Sequence, residues 1–216
     1  MRKQSCLSYN FFMLKRPEVF NQPEFRVFKK LNTPAKVQNF IDRMPMNFYT
    51  TCRSPLTVLR KNRAYCIEAA FLAAAIFWYH GKPPLVFCLQ TVKHDFDHVL
   101  ALFKEGNYWG AISKTNHPVL RYREPVYKNV RELAMSYFHE YFMNNGKKTM
   151  RGYSEPLDLR KFGTDWLVSD KNIWHIDDAL AKTKYHKILD RGMIRSLRRA
   201  DKIEIKATKT TQWKRS

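Results

Sequence analysis

An α+β fold, in which one long helix packs on an antiparallel sheet, is predicted for this chain by three observations. The run NRAYCIEAAFLAAAIFWYHG, residues 62–81, has the length and composition of a buried helix. Three short runs follow it, PLVFCLQ, HVLALF and YWGAIS, and the turn KEGN joins the last two as a hairpin. A second segment of helical spacing comes next. The order is thus helix, strand, strand, strand, helix, without the βαβ alternation of a parallel sheet.

Each element has a local reason. Residues 1–32 are basic and aromatic with no clear period. LNTPAKVQNFIDRM then starts a helix with Asn32 or Thr33 as N-cap and Pro34 in the first turn; Val37, Phe40, Ile41 and Met44 form its apolar stripe, and Pro45 ends it. NFYTTCRSPLTVLRKN is turn-rich and leads to the helix of residues 64–80, which Gly81 and the pair Pro83-Pro84 terminate. PLVFCLQ reads as a buried strand, and HVLALF and YWGAIS follow the acidic HDFD. EPVYKNVRELAMSYFHEYFMNNG sets Val126, Val130, Leu133, Met135, Tyr137 and Phe138 near helical spacing, with Gly146 as the stop. Beyond it come turns, a helix around IDDALAK and a Lys/Arg-rich end. The chain divides into a basic N-terminal segment (1–32), a domain (33–145) and a basic C-terminal extension with little regular structure (146–216).

With 216 residues and 44% hydrophobic content the chain has enough apolar side chains for a real core. Its longest apolar run falls short of the ~20 residues that span a bilayer, and its start lacks the h-region of a secretory signal. A cytoplasmic protein without a membrane span is expected. Cys6, Cys52, Cys66 and Cys88 are irregularly spaced with no CxxC, which argues against a disulfide framework and a zinc ribbon. The net charge of +20 is unevenly placed: +10 over residues 1–63, +1 over 64–125 and +9 over 126–216. Such flanks attract polyanions without sequence preference, although no RRM, KH or zinc-finger signature is present.

Two residues in the neutral middle stand out. Cys66 heads the apolar helix, where unpaired N–H groups and the macrodipole favour thiolate and where its own N–H faces a developing oxyanion. His98 opens HVLALF, placed to present its ring to a neighbouring helix end. His94, Asp95, Asp97 and His98 do not make a metal site, because a four-residue gap on a strand is ~13 Å. Asn62, four residues before Cys66, is placed for a helix cap or an oxyanion donor, and Arg121 and Arg123 for anion contacts.

The succession YCIEAAFLAAAIFWYHGKPPLVFCLQ and DHVLALFKEGNYWGAI resembles the transglutaminase-like branch of the papain-like cysteine superfamily, and the following SKTNHPVLRYREPVYKNVRELAMSYFHEYF resembles a little-characterised bacterial subgroup of it, over roughly residues 33–145. The resemblance implies a papain-like fold and cysteine-dependent acyl transfer on a protein, peptide or small amide or ester: hydrolysis, transamidation or deamidation, with Cys66 as nucleophile, His98 as general acid/base and no cofactor. That family generally sets an aspartate on the next strand to orient the imidazole. Here the only acid between His98 and Glu124 is Glu105, in the turn. Two residues stand in for it. A register that pairs Phe103 with Tyr108 sets His98 opposite Ser113. Asn116 offers an amide oxygen like the asparagine of papain-like proteases, and is slightly preferred. A catalytically inactive interaction module and a basic nucleic-acid-associated protein are the alternatives.

Overall fold

The computed structural model describes residues 16–214. Its centre is helix α3 (Cys66–Tyr79), in which every side chain from Cys66 to Trp78 is buried. A helix apolar on all sides needs cover on all sides, and this one has it. The sheet lies along one flank. Helices α1 (Pro34–Arg43) and α2 (Pro55–Lys61) lie along others, as do the 3-10 turns Glu18–Asn21 and Pro23–Lys30. Phe20, Phe25 and Phe28 from those turns enter the same core, and Phe20 meets Trp78 edge-on at 6.1 Å. Part of the segment read as an N-terminal appendage is therefore core.

Local chemistry sets the helix ends. Thr33 and Ser54 cap α1 and α2 by accepting from Lys36 N–H and Thr57 N–H, each with proline at the first position. Gly81, at φ 76°, closes α3 in a Schellman turn: its N–H donates to Trp78 C=O at 2.9 Å and Lys82 N–H to Phe77 C=O at 2.9 Å.

Among the described residues the sheet is antiparallel and seven-stranded. It comprises β1 (Leu85–Gln90), β2 (His98–Glu105), β3 (Tyr108–Ile112), β4 (Arg123–Tyr127), β5 (Gly152–Ser154), β6 (Leu157–Asp158) and β7 (Tyr185–Lys187). The order is β4-β3-β2-β1-β5-β7, with β6 also pairing β1. Val86, Cys88, Val99, Ala101 and Phe103 face the α3 side; Leu85, Phe87, Leu89, Leu100 and Leu102 face a second core built by Leu133, Tyr137, Phe138 and Tyr141. Both faces are covered, which is why β1 and β2 read as unbroken apolar runs rather than alternating ones.

Three expectations are corrected. The hairpin pairs Phe103 with Gly110 and Glu105 with Tyr108, two residues away from the predicted register. The turn is Gly106-Asn107 with Gly106 at φ 57°, and Gly110, lacking a side chain, leaves room for the Phe103 ring. Residues 123–140 form β4, the short helix α4 (Val130–Met135) and a 3-10 turn instead of one long helix. Asn129 interrupts them by accepting from Glu132 N–H at 2.9 Å as an N-cap, and Val126 is solvent-exposed at the sheet edge. Residues 152–208 carry three strands and the helices α5 (Trp174–Ala181), α6 (Arg191–Ser196) and α7 (Lys202–Thr208). Their strands of two or three residues are too short for a period to show. No helix among the described residues is long and apolar enough to cross a membrane.

Candidate active site

Cys66 is the first residue of α3 and is 8% exposed. Glu68, wholly buried, organises the backbone before it. Its carboxylate accepts Tyr65 N–H (2.7 Å), Arg53 N–H (3.1 Å), Thr51 Oγ1 (2.6 Å) and Asn47 Nδ2 (3.0 Å). One side chain thus caps the helix and fixes the preceding loop. Sequence reading missed Glu68; the signal was an acid three residues after the N-cap of an otherwise apolar helix. Asn62 is not part of this helix start. It ends α2 in the left-handed conformation, at φ 47° and ψ 41°.

The Cys66 sulfur lies beside the N–H groups of Ile67 and Val99 and the Tyr65 hydroxyl, all of which favour the thiolate. Burial outweighs them and pushes the thiol up to about 11. In this closed arrangement desolvation thus opposes the ionised thiol expected at a helix start and exceeds the pull of the helix terminus. Cys52 and Cys88 are also buried free thiols whose ionisation burial opposes, and Cys6 lies outside the described residues.

His98, 6% exposed, begins β2 and shares the face of Leu100 and Leu102, away from α3. Its Nε2 lies 2.8 Å from Ser113 Oγ. The Ser113 hydroxyl donates to Leu120 C=O in a short hydrogen bond. A carbonyl only accepts, so the single hydroxyl proton is committed there, and Oγ accepts from Nε2–H. The tautomer follows: Nδ1 is the basic nitrogen. Burial holds the ring's pKa down to about 4, so it is neutral at pH 7.

Ser113 is therefore the residue that meets His98. The register was misread by two residues, but a shift of two keeps the face, and the pair meets diagonally instead of directly. Gln38 fixes the serine backbone: its Oε1 accepts Ser113 N–H (3.0 Å) and its Nε2 donates to Ser113 C=O (2.7 Å). Leu120 is held in the left-handed region at φ 59°, and its N–H donates to Glu140 (2.6 Å). Asn116, the preferred alternative, is engaged elsewhere. Both ends of its amide bond the Trp213 backbone, at 3.0 and 2.8 Å. The arginines are also committed, Arg123 to Glu140 at 2.6 Å and to the Tyr137 ring at 4.0 Å, Arg121 to His117 C=O and Gln212.

The Cys66 sulfur thus lies beside the amide that follows His98 at the start of β2, while the ring itself belongs to the face of the sheet away from α3. No hydrogen bond joins sulfur and ring. Among the described residues no group of three or more His, Cys, Asp or Glu side chains is arranged to hold a metal ion. The chain matches no protein-family model, and no curated protein matches it.

Proposed function

We propose that this chain is a cysteine-dependent acyl-transfer enzyme of transglutaminase-like type. Cys66 is the nucleophile, His98 the general acid/base and Ser113 the residue that orients the ring. The observation that supports it most is that the Val99 N–H, the amide directly after His98, lies beside the Cys66 sulfur, while the Nε2–Ser113 bond leaves Nδ1 as the unprotonated ring nitrogen. In the reaction the thiol proton passes to the imidazole and sulfur bonds the acyl carbon. The C–N or C–O bond then breaks, and the leaving group takes the proton. The Cys66 and Ile67 N–H groups at the start of α3 suit the oxyanion. Both side chains are buried and no hydrogen bond joins them, so turnover requires the site to open and the ring to approach the thiol.

The experiment is acylation by p-nitrophenyl acetate, read by intact mass and peptide mapping. The expected result is an acetyl adduct on Cys66 that turns over, slowed on the order of 100-fold by His98→Ala. Equal labelling of Cys52 or Cys88, or indifference to His98→Ala, overturns the reading. The absence of a sulfur–ring hydrogen bond favours a second reading, a catalytically inactive module of the same architecture. A dead module shows no acylation at all. The C-terminal face adds polyanion binding: Asp190, Asp201 and Glu204 are spent on capping α6 and α7, while Arg191, Arg195, Lys202 and Lys206 are exposed.

A further inference from the structure

Asn116 holds the segment that follows α7. Its Nδ2 donates to Trp213 C=O (3.0 Å), its Oδ1 accepts Trp213 N–H (2.8 Å), and its own C=O accepts Gln212 N–H (2.9 Å). The Gln212 side chain continues the attachment, accepting from Arg121 Nη2 (3.0 Å) and donating to Asp42 C=O at the end of α1 (3.2 Å). Thr208 C=O meets His117 Nδ1 at 2.7 Å, so the nitrogen donates. Residues 208–213 are thereby tied to the connection between β3 and β4, residues 113–122.

That connection is the seat of His98. It supplies Ser113, which accepts the Nε2 proton, and Leu120, whose carbonyl takes the serine proton. Leucine in the left-handed region is held there only when surrounding contacts over-determine it. Glu140 supplies one such contact from below. The C-terminal strap does not touch Leu120 but holds the residues on either side of it, Asn116 and His117 before and Arg121 after. Trp213 itself lines a cavity of about 90 Å³ with Pro45, Met46 and Tyr49. Its indole N–H is buried with no partner among the described residues. The strap is held by its backbone and by Gln212, and the indole N–H adds nothing to that hold.

We propose that residues 208–213 clamp the seat of His98, and that Asn116 is the positioning residue through which the clamp acts. With the strap docked, the 113–122 connection keeps Leu120 C=O on the Ser113 hydroxyl and so keeps the histidine in one tautomer. With the strap detached, the serine hydroxyl is free to rotate and the ring loses its fixed partner. The functional meaning of the clamp rests on the acyl-transfer reading of Cys66 and His98; the clamp itself does not.

The test uses the full chain with the ring nitrogens of histidine labelled for NMR, together with amide hydrogen exchange. Wild type is expected to show His98 with Nε2 protonated and Nδ1 bare. Asn116→Ala is expected to speed exchange of the amides between Thr115 and Tyr122 by about tenfold or more, with β1 and β2 unchanged. It should also move the His98 ring signals toward a mixture of tautomers, a change that a purely structural asparagine would not produce. Asn116→Asp keeps the volume and the acceptor while removing the donor to Trp213 C=O, and serves if the alanine variant does not fold. Ring signals and exchange like wild type in both variants overturn the clamp. Acetylation of Cys66 on the same samples separates the two ideas. Altered ring signals with no acetylation of wild type uphold the clamp and end the enzyme reading, whereas acetylation with unaltered ring signals ends the clamp alone.

Discussion

Gln38 and Ser113 form a reciprocal pair, side-chain amide to peptide, in which Oε1 accepts the serine N–H at 3.0 Å and Nε2 donates to the serine C=O at 2.7 Å. Ser113 stands just past the end of β3, where no strand partner takes its backbone groups. The glutamine on α1 replaces that partner. Gln38→Ala leaves two buried peptide groups to water or to nothing, and an unsatisfied buried group costs roughly 1–3 kcal/mol. Urea unfolding is expected to show a loss of about 2 kcal/mol without a change in m-value. A loss near zero means the peptide is rehydrated and Gln38 does not fix the serine.

Glu68→Gln is expected to be worse despite its equal size. Two backbone N–H groups, a hydroxyl and an asparagine amide all donate to this carboxylate. An amide turns one acceptor oxygen into a donor facing donors. The expected loss is about 3 kcal/mol, the scale of breaking a buried charged network. Faster alkylation of Cys66 should accompany it as the start of α3 loosens. Thermal unfolding unchanged from wild type means the carboxylate is not the anchor.

Much of this arrangement is legible in the sequence because its signals are local. Thr33-Pro34 starts α1, Gly81 ends α3, and the apolar runs give β1 and β2. What escapes sequence reading is held by partners far along the chain. Lys114 is buried because its ammonium donates to Ile41 C=O (3.0 Å) and Met44 C=O (2.7 Å) at the end of α1, and burial draws its pKa down to about 8. Nothing in SKTNHP marks that lysine as interior. Asn116 resembles an imidazole partner by type, but its actual partner is 97 residues away. Gln38 looks like the polar face of a helix. The hairpin register was missed because it depends on the Phe103 ring seeking Gly110, a pairing that a symmetric turn does not reveal.

The depressed pKa of His98 gives the fold an acid limit. The ring sits at about 4 against an ordinary 6.5. Between those values the unfolded chain binds a proton that the native chain does not. Stability therefore rises as pH rises through that window and levels off above it. A shift of this size corresponds to about 3 kcal/mol. Urea unfolding near pH 4.5 and pH 7 should show the difference in wild type, and His98→Gln should lack this share of it. The raised thiols act at the other end. The native state keeps Cys66 protonated up to about 11, so stability falls as pH climbs above about 9. An acid limb identical in wild type and His98→Gln rules out the buried histidine as its cause.

Polyanion binding through the C-terminal face is expected to be salt-steep and indifferent to sequence. Fluorescence anisotropy with a labelled random single strand should show affinity falling at least ~10-fold between about 50 and 200 mM salt, as counterion release requires. Lys202→Glu with Lys206→Glu should flatten that slope; both lysines are exposed on α7. Affinity that stays flat with salt, or no binding, removes the polyanion property. Binding of anionic vesicles alone assigns the face to lipid.

Ser113 offers the sharpest test of the histidine seat, because two substitutions act on its two bonds in opposite senses. Ser113→Ala strips the acceptor from His98 Nε2–H and the donor from Leu120 C=O. Each group loses one partner, but the Leu120 carbonyl also bonds the His98 ring, so neither is left bare and a stability loss of about 1 kcal/mol is expected. Ser113→Asp keeps an acceptor for Nε2–H and adds a negative charge beside the ring, which favours imidazolium. The same carboxylate confronts the Leu120 carbonyl, two acceptors face to face, so this variant is also expected to be less stable at neutral pH. In an NMR titration the Asp variant should raise the His98 pKa from about 4 toward or above the ordinary 6.5. The Ala variant should not. A ring that titrates as in wild type in Ser113→Asp has some other neighbour at Nε2, and the assignment of Nδ1 as the base falls with it.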